Sequence, residues 1–259
     1  MGSAITGGVG MSHEYDGRVV SYGGGVNSTA LVILLVGEGW RGPVVFSDTG
    51  AEWPETMEYV TLFGGWLAER GLELTVLGPE WRKSTERQPL IDYCEHYRVT
   101  PFPAVRWCTS NWKVEPLQRW CEANGHDYSA MLLGISAEEA HRQPDKDRPL
   151  VDRGIDRNGC ARIIVDAGLP LPRKSGCYLC PFQSPRQWQE LYKVHPDLFE
   201  RVAALEDAAT ERRTDDKATT LGKVSLRQLA AGYAAQTAMF DWLDYYQPCM
   251  CRVDAAGEQ

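Results

Sequence analysis

The chain has 259 residues, of which 43% are hydrophobic and 24% are charged, and its formal net charge is -8. This composition is typical of a globular protein, and the length suits one large α/β domain or a domain with an appendage. The acidic balance argues against bulk electrostatic binding of nucleic acid, although a nucleic-acid acceptor delivered by a partner protein stays compatible with it.

No segment approaches the roughly 20 consecutive apolar residues of a membrane span, so no membrane association is expected. Residues 1–17 include a small, glycine-rich start that lacks the basic and apolar regions of a signal peptide. We therefore expect a flexible leader or tag at 1–17 and a cytoplasmic protein.

Strands and helices alternate through the first half of the chain. Short apolar segments predict the strands, and longer segments with helical periodicity predict the helices between them. The predicted strands are 18–21, 43–47, 72–77 and 128–134, and the predicted helices are 28–36, 54–70 and 115–123. This order favours an α/β fold with a doubly wound parallel sheet, in which ligands bind at the carboxyl ends of the strands.

A glycine-rich loop at residues 21–28 joins the first predicted strand to the first helix. Three consecutive glycines permit close backbone approach, and Asn27 and Ser28 are helix-capping residue types. Backbone N–H groups and the positive end of the helix dipole then converge where a phosphate can lie. The loop lacks the Gly-Lys-Ser/Thr ending of a Walker loop and the GxGxxG spacing of a dinucleotide site. Alone, it favours phosphate binding only modestly over a turn that binds nothing.

A second motif follows the next predicted strand, which ends in Asp48-Thr49-Gly50 and is soon followed by Pro54-Glu55-Thr56. In this order the two motifs resemble the PP-loop ATP pyrophosphatase (adenine nucleotide alpha hydrolase) superfamily, and within it the PAPS reductase-like family. The loop of that family reads Ser-Gly-Gly-x-x-Ser. Here Gly23 replaces its first serine, and Asn27 replaces the aspartate that usually precedes Ser28.

The resemblance implies an adenine nucleotide, ATP or a relative of it, with its phosphates in the glycine loop. It further implies that Asp48 holds Mg²⁺ or the ribose. A third segment, 134–142, resembles the family's Gly-x-Arg-x-x-Glu-Ser-x-x-Arg stretch, so Arg142 either pairs with a phosphate or sulfate or belongs to an exposed helix start. The implied nucleotide-binding residues are Ser21, Gly23, Gly24, Gly25, Asn27, Ser28, Asp48, Thr49, Gly50 and Gly134.

Beyond residue 142 the composition changes. Residues 143–176 are rich in Pro, Arg and Gly, with one predicted helix at 158–167, and helices are predicted at 185–210 and 224–245. We therefore predict a nucleotide-binding domain at 18–142 and a helical, cysteine-bearing extension with a mobile tail at 143–259.

The extension contains a CxxC motif, Cys177-Tyr178-Leu179-Cys180, which is typical of either a redox dithiol or half of a metal site. Upstream, Cys108 precedes a Lys-Val-x-Pro-Leu stretch, again as in the family. In its adenylyl-sulfate reductase branch, a Cys-Cys pair there joins a distal CxxC on a 4Fe–4S cluster. Resemblance to the DNA phosphorothioation sulfurtransferases implies that Cys160 replaces the missing cysteine. The implied cluster ligands are Cys108, Cys160, Cys177 and Cys180.

Two alternatives stay open for these cysteines. Cys160 and the CxxC pair, completed by Cys108 or His195, would suit structural zinc, Zn²⁺. The cysteines would otherwise pack as small hydrophobic residues, which is also the expectation for Cys94 and Cys121. The segment 173–175 places positive charge beside the CxxC, next to a cluster or an anionic substrate, or forms a solvated loop.

Cys249 and Cys251 lie near the end of the chain. PAPS reductases carry a nucleophilic tail cysteine in a Glu-Cys-Gly context, which is missing here. A thiolate at either position would attack the sulfur of a sulfate or carry a persulfide, and a frayed tail without a role is the simpler alternative.

Three functions follow from the resemblance. The favoured one is an ATP-dependent, adenylating sulfurtransferase with a 4Fe–4S cluster, supplied by a cysteine desulfurase or another thiol or electron donor protein. The second is a reductase that releases sulfite from phosphoadenylyl or adenylyl sulfate. The third is a zinc-stabilised nucleotide-binding module without turnover. The candidate catalytic residues are Asp48, Arg142, Cys249 and Cys251, and a homo-oligomer is compatible with the sequence.

Overall fold

The computed structural model describes residues 14–79, 88–212 and 224–235. Its sheet has four parallel strands in the order β3-β2-β1-β4, so the predicted parallel α/β fold is confirmed. In this register Val20 of the central strand pairs with Val44 on one side and Leu132 on the other. The strands are β1 (Val20–Tyr22), β2 (Val44–Ser47), β3 (Leu74–Leu77) and β4 (Leu132–Leu133).

Helices cover the sheet and continue beyond it. They are α1 (Val26–Gly37), α2 (Pro54–Ala68), α3 (Leu90–Tyr97), α4 (Trp107–Thr109), α5 (Glu115–Ala123), α6 (Pro149–Asp152), α7 (Arg157–Asp166), α8 (Pro185–Val194), α9 (Pro196–Arg212) and α10 (Leu226–Ala235). A π-helical turn, Ser110–Val114, joins α4 to α5. In the part of the chain that the structure describes, no helix combines the length and apolarity needed to cross a bilayer.

The two faces of the sheet contribute to different clusters of buried side chains, because successive residues of a strand point to opposite faces. Val20, Tyr22, Val44 and Phe46 belong to the main core, which α1, α2 and α7 complete. On the other face, Val19 and Val45 pack with residues of α5.

A second core lies beyond the sheet and is built largely by α3, α8, α9 and α10. Trp53, just before α2, joins this core, as does Tyr178 of the CxxC motif. Backbone contacts tie the motif to the segment after β2: the Tyr178 N–H donates to the Ala51 carbonyl at 2.9 Å, and the Trp53 N–H donates to the Gly176 carbonyl at 3.1 Å. The CxxC motif is therefore held at the carboxyl end of β2.

Several predicted elements differ from the observed ones. The predicted helix at 185–210 is two helices, since Pro196 has no N–H to continue α8 and instead begins α9. The predicted strand at 128–134 shortens to Leu132–Leu133, because Tyr128–Ala130 forms a 3₁₀ turn capped by Asp127. Helix α3 was not predicted from the sequence. Of the predicted helix at 224–245, the described part is α10.

Candidate functional site

The loop after β1 forms a compact turn at the start of α1. Ser28 Oγ accepts a hydrogen bond from the Gly23 N–H at 3.1 Å and donates to the Gly25 carbonyl at 3.2 Å. Gly24 has a φ of +69°, and a β-carbon there would lie 3.1 Å from the Thr56 side chain. Gly25 is the N-cap of α1, and no side chain caps the helix there. The first-turn N–H groups are therefore available to an anion.

Two other segments of the chain, around Gly134 and Ser175, pack closely against this turn. A β-carbon on Gly134, just after β4, would lie 2.5 Å from Ser28 Cα and 2.6 Å from Ser28 N. A β-carbon on Gly25 would lie 2.8 Å from Ser175 Oγ. Only glycine fits at position 134 without displacing backbone, so the end of β4 rests directly on the first turn of α1.

The turn opens into a cavity of about 710 Å³. Among the described residues, six cationic side chains line this cavity, and Glu139 is the only carboxylate that does. The cavity is therefore strongly basic in a chain with a net charge of -8, and it will concentrate anions. The six cations are Arg106, Lys113, Arg142, Lys146, Arg157 and Lys174.

Two of these cations already have carboxylate partners. Lys113 Nζ lies 2.9 Å from Glu52 Oε1, and Arg142 Nη1 lies 2.9 Å from Glu139 Oε1. Within the described ranges, no carboxylate lies at ion-pair distance from Arg106, Lys146, Arg157 or Lys174. Lys146 Nζ donates to two backbone carbonyls, and Lys174 Nζ donates to Gln187 Oε1. Most of the positive charge of the cavity is therefore available to bind an anionic ligand.

Most of the predicted nucleotide-binding residues line this cavity. They are Ser21, Gly23, Gly25, Asn27, Ser28 and Gly134, and Arg142 lines it too. Gly24 is buried beneath the turn, against Thr56 and Val60.

Asp48, Thr49 and Gly50 are not among the lining residues. The Asp48 carboxylate accepts from the Gly50 N–H at 2.7 Å, and Thr49 Oγ1 faces Glu52 and Cys177. The assignment of Asp48 to Mg²⁺ or ribose stays a prediction. Cys249 and Cys251 lie outside the described residues.

Most of these cationic residues could not be assigned to the site from the sequence. They come from segments far apart in the chain, so no local motif unites them. Arg142 was predicted to pair with a phosphate or sulfate, and Lys174 belongs to the basic segment predicted beside the CxxC motif. Both line the cavity. Arg173, next to Lys174, is instead buried over Trp53, with its guanidinium 3.7 Å from the ring centroid.

Lys113, which lines the cavity, is linked to the CxxC motif through Glu52. Glu52 Oε1, on a side chain that is only 1% exposed, pairs with Lys113 and accepts from Thr49 Oγ1 at 3.1 Å and Cys177 Sγ at 3.6 Å. Burial and the Glu52 carboxylate together raise the pKa of Cys177 well above its ordinary value. Burial opposes the charged form of Lys113, but the Glu52 carboxylate prevails and raises the pKa of Lys113.

The structure does not bring the four predicted cluster ligands together. Cys108 and Cys177 pack against the second core, together with the buried Cys94. Cys160 instead has no exposed surface and lies in the main core, where α7 packs on α1. Burial raises the pKa of Cys160 to about 12, and in the structure the thiol packs as a small hydrophobic group. Its role as a cluster ligand stays a prediction.

The zinc alternative with His195 is not assembled either. His195 Nε2 lies 2.8 Å from Glu55 Oε1, in a different network. Among the described residues, no three or more His, Cys, Asp or Glu side chains are arranged to hold a metal ion. The residues present thus do not fit the predicted four-cysteine iron–sulfur site.

The chain is similar to several known proteins. A family profile described as the phosphoadenosine phosphosulfate reductase domain matches residues 17–157, more than half of the chain. An uncharacterized protein of Methanocaldococcus jannaschii is 26% identical over 215 residues, which cover 71% of this chain and 40% of that protein. The chain therefore spans less than half the length of this relative. A crystal structure of phosphoadenylyl-sulfate (PAPS) reductase from Candida auris, in complex with phosphate, is similar with a TM-score of 0.44 and 16% identity, covering 60% of this chain and 75% of that one.

Proposed function

The chain belongs to the phosphoadenosine phosphosulfate reductase domain family, and from that membership we propose that it is an adenine-nucleotide-dependent enzyme of sulfur metabolism. The observation that carries the proposal is the glycine turn at the start of α1, which opens into a cavity lined by six cations. The uncapped N–H groups of α1 would hold one phosphate, and the cations without carboxylate partners would hold the remaining negative charge.

We favour ATP as the nucleotide and adenylation as the reaction. An oxygen of the acceptor would attack the α-phosphorus, the bond to the β-phosphate oxygen would break, and pyrophosphate would leave. The terminal sulfur of a persulfide on the donor protein would then displace AMP and form a disulfide with the acceptor. A second thiol would attack the donor's sulfur in that disulfide, so that the transferred sulfur stays on the acceptor as a thiol and the donor leaves as a new disulfide. The residues of this chain would act by positioning the phosphates and by stabilising the charge that develops on them.

No step of this reaction passes through an iron–sulfur cluster, because the described cysteines do not form the predicted ligand set. Lys113 contributes from the cavity wall, where its ammonium group is held by Glu52 at 2.9 Å. This pairing would keep the ammonium protonated and directed along one wall of the cavity.

Sulfite release from a sulfonucleotide is the second candidate. It is favoured by the short link from the cavity through Lys113 and Glu52 to Cys177, whose Sγ lies 3.6 Å from Glu52 Oε1. A cysteine thiol would lose its proton and attack the sulfate sulfur. The bond from that sulfur to the phosphate oxygen would break, which releases the nucleotide and leaves an S-sulfonate on the cysteine. A second thiol would then attack the cysteine sulfur, form a disulfide and release sulfite.

The two candidates differ in product, so one experiment separates them. Protein purified anaerobically is titrated with ATP and with PAPS by calorimetry, then incubated with each nucleotide and a thiol. We expect ATP binding and the appearance of AMP with pyrophosphate when an acceptor preparation is added. Sulfite from PAPS would overturn adenylation in favour of the reductase. Binding without any turnover would favour the nucleotide-binding module, and failure to bind either nucleotide would refute the proposed function.

A further inference from the structure

Arg173 is a buried arginine, next in sequence to two residues that line the cavity, and it does not line the cavity itself. Its side chain is only 5% exposed and forms ion pairs with Glu55 at 3.0 Å and with Glu190 at 2.6 Å. Its guanidinium also lies 3.7 Å from the centroid of the Trp53 ring. A buried charge is costly unless it is paired, so these contacts together fix the position of Arg173.

The two carboxylates that pair with Arg173 belong to different helices. Glu55 lies in the first turn of α2, and Glu190 lies in α8. A guanidinium can hold both at once because its N–H donors form a planar fork, whereas the ammonium group of a lysine is a point charge. Arg173 therefore joins the segment that precedes the CxxC motif to both helices.

The chain is fixed a second time shortly after Arg173. The Gly176 carbonyl accepts a hydrogen bond from the Trp53 N–H at 3.1 Å. Lys174 and Ser175 therefore lie between two fixed points, the buried guanidinium of Arg173 and the backbone of Gly176.

The two residues between these fixed points line the cavity. A β-carbon on Gly25 would lie 2.8 Å from Ser175 Oγ, so this hydroxyl stands directly against the glycine turn. Among the described residues, nothing forms a hydrogen bond with the Ser175 hydroxyl. Lys174 Nζ donates to Gln187 Oε1 at 3.1 Å and has two further N–H donors. A hydroxyl and an ammonium group beside the turn suit the oxygens of a phosphate.

We propose that Arg173 is a positioning residue of the candidate site, which holds the Ser175 hydroxyl and the Lys174 ammonium group where both donate to the phosphates of the bound nucleotide. This inference rests on the proposed function. It adds Ser175 as a phosphate-binding residue and Arg173 as the residue that acts through Ser175 and Lys174.

The test is calorimetric titration of the full chain with ATP and with inorganic pyrophosphate. The variant is Arg173→Lys, which keeps the positive charge but cannot hold both carboxylates as the guanidinium does. The same substitution is also made in a Lys174→Met/Ser175→Ala background. If Arg173 acts through these two side chains, the effects of the substitutions will not add.

The matched control is Arg201→Lys. Arg201 also pairs with two carboxylates, at 2.6 Å from both Asp92 and Glu95, and it does not line the cavity. We expect Arg173→Lys to weaken the binding of ATP and of pyrophosphate by the same factor, about tenfold, because a displaced donor loses a charge-assisted contact. Arg201→Lys should leave both affinities unchanged. In the doubly substituted background, Arg173→Lys should cost less than about twofold.

A folded Arg173→Lys variant with wild-type affinity for both ligands would overturn the inference and leave the proposed function intact. A loss for ATP without a loss for pyrophosphate would overturn it too, because the effect would not be on the phosphates. The same holds for a further loss of about tenfold in the doubly substituted background, since Arg173 would then act independently of Lys174 and Ser175. Failure of the wild type to bind ATP would instead refute the proposed function.

If Arg173→Lys does not fold, Glu190→Gln is the second variant, because it leaves the guanidinium with the carboxylate of Glu55 alone. We expect a loss of ATP affinity that disappears in the Lys174→Met/Ser175→Ala background. No loss, or an equal loss in both backgrounds, would overturn the inference.

Discussion

Gly134 and Ser28 are in backbone contact across the candidate site: a β-carbon on residue 134 would lie 2.5 Å from Ser28 Cα. The end of β4 is therefore pressed against the first turn of α1, where the phosphate cradle lies. Any side chain at position 134 must separate these two segments, and the uncapped N–H groups of α1 would move with them.

Gly134→Ala tests this contact. We expect ATP binding to weaken by about tenfold or more, because the added methyl group meets backbone atoms that cannot rotate away. The matched control is Gly65→Ala in α2, where an added β-carbon meets nothing within 4 Å. Calorimetric titration of both variants with ATP is the measurement. Equal affinities in the two variants would show that the cradle does not bind the nucleotide.

Lys174→Met tests the cations of the cavity. Lys174 lines the cavity without a carboxylate partner in the described ranges, so its charge is available to the ligand. Losing one charge-assisted contact costs about 1.5 kcal/mol, which corresponds to about a tenfold loss of ATP affinity. The loss should shrink at high salt, because exposed charges are screened.

The control for that substitution is Lys193→Met, since Lys193 is exposed in the last turn of α8 and does not line the cavity. Affinity should be measured for both variants at two salt concentrations. An equal loss in both, or a loss independent of salt, would contradict a direct charge contact at Lys174.

The buried network around Arg173 predicts a pH dependence of stability. Arg173 pairs with Glu55 at 3.0 Å and Glu190 at 2.6 Å, and Glu55 also pairs with His195. Burial raises the pKa of Glu55, but the hydrogen bond from His195 and the charge of Arg173 outweigh it and lower the pKa overall. A carboxyl with a depressed folded pKa stabilises the fold above its unfolded pKa, and that contribution is lost as the pH falls through the folded value.

Glu55→Gln should therefore reduce the loss of stability on acidification below about pH 4.5, the ordinary pKa of a glutamate. The pKa of Glu190 is shifted in the opposite direction, because the effect of burial outweighs the charge of Arg173 and raises the pKa of Glu190. Glu190→Gln should make the acid-induced loss steeper. Urea unfolding at pH 7 and pH 4 is the measurement, with the exposed Glu69→Gln as control. If the free energy of unfolding falls equally between pH 7 and pH 4 in all three variants, the opposite pKa shifts of Glu55 and Glu190 would be refuted.

Cys160→Ala tests whether Cys160 belongs to the predicted set of cluster ligands. Cys160 has no exposed surface and packs between α7 and α1, so truncation should lower the free energy of unfolding by about 1 kcal/mol through lost packing. Iron and zinc content after anaerobic purification should equal that of the wild type. Cys177→Ala is the comparison. If Cys160→Ala removes bound iron as completely as Cys177→Ala does, Cys160 is a ligand and its placement in the main core is not the metal-bound state.

The sequence by itself determined the parts of this protein that depend on local patterns. Alternating strands and helices indicated the parallel sheet, and α5 begins and ends where its apolar periodicity does. The glycine turn could be predicted because three glycines and a following Asn-Ser pair are typical of a turn between a strand and a helix. These features depend only on residues that lie close together in the sequence.

The tertiary structure determines which side chains surround the glycine turn. The cations of the cavity come from segments as far apart as Arg106 and Lys174, and only the sheet order β3-β2-β1-β4 brings their segments to one edge. Cysteine spacing could not separate Cys160, buried under α1, from Cys108 and Cys177 in the second core. Which side chains meet across a sheet depends on helix packing and strand order, and neither is encoded in the local spacing of residues.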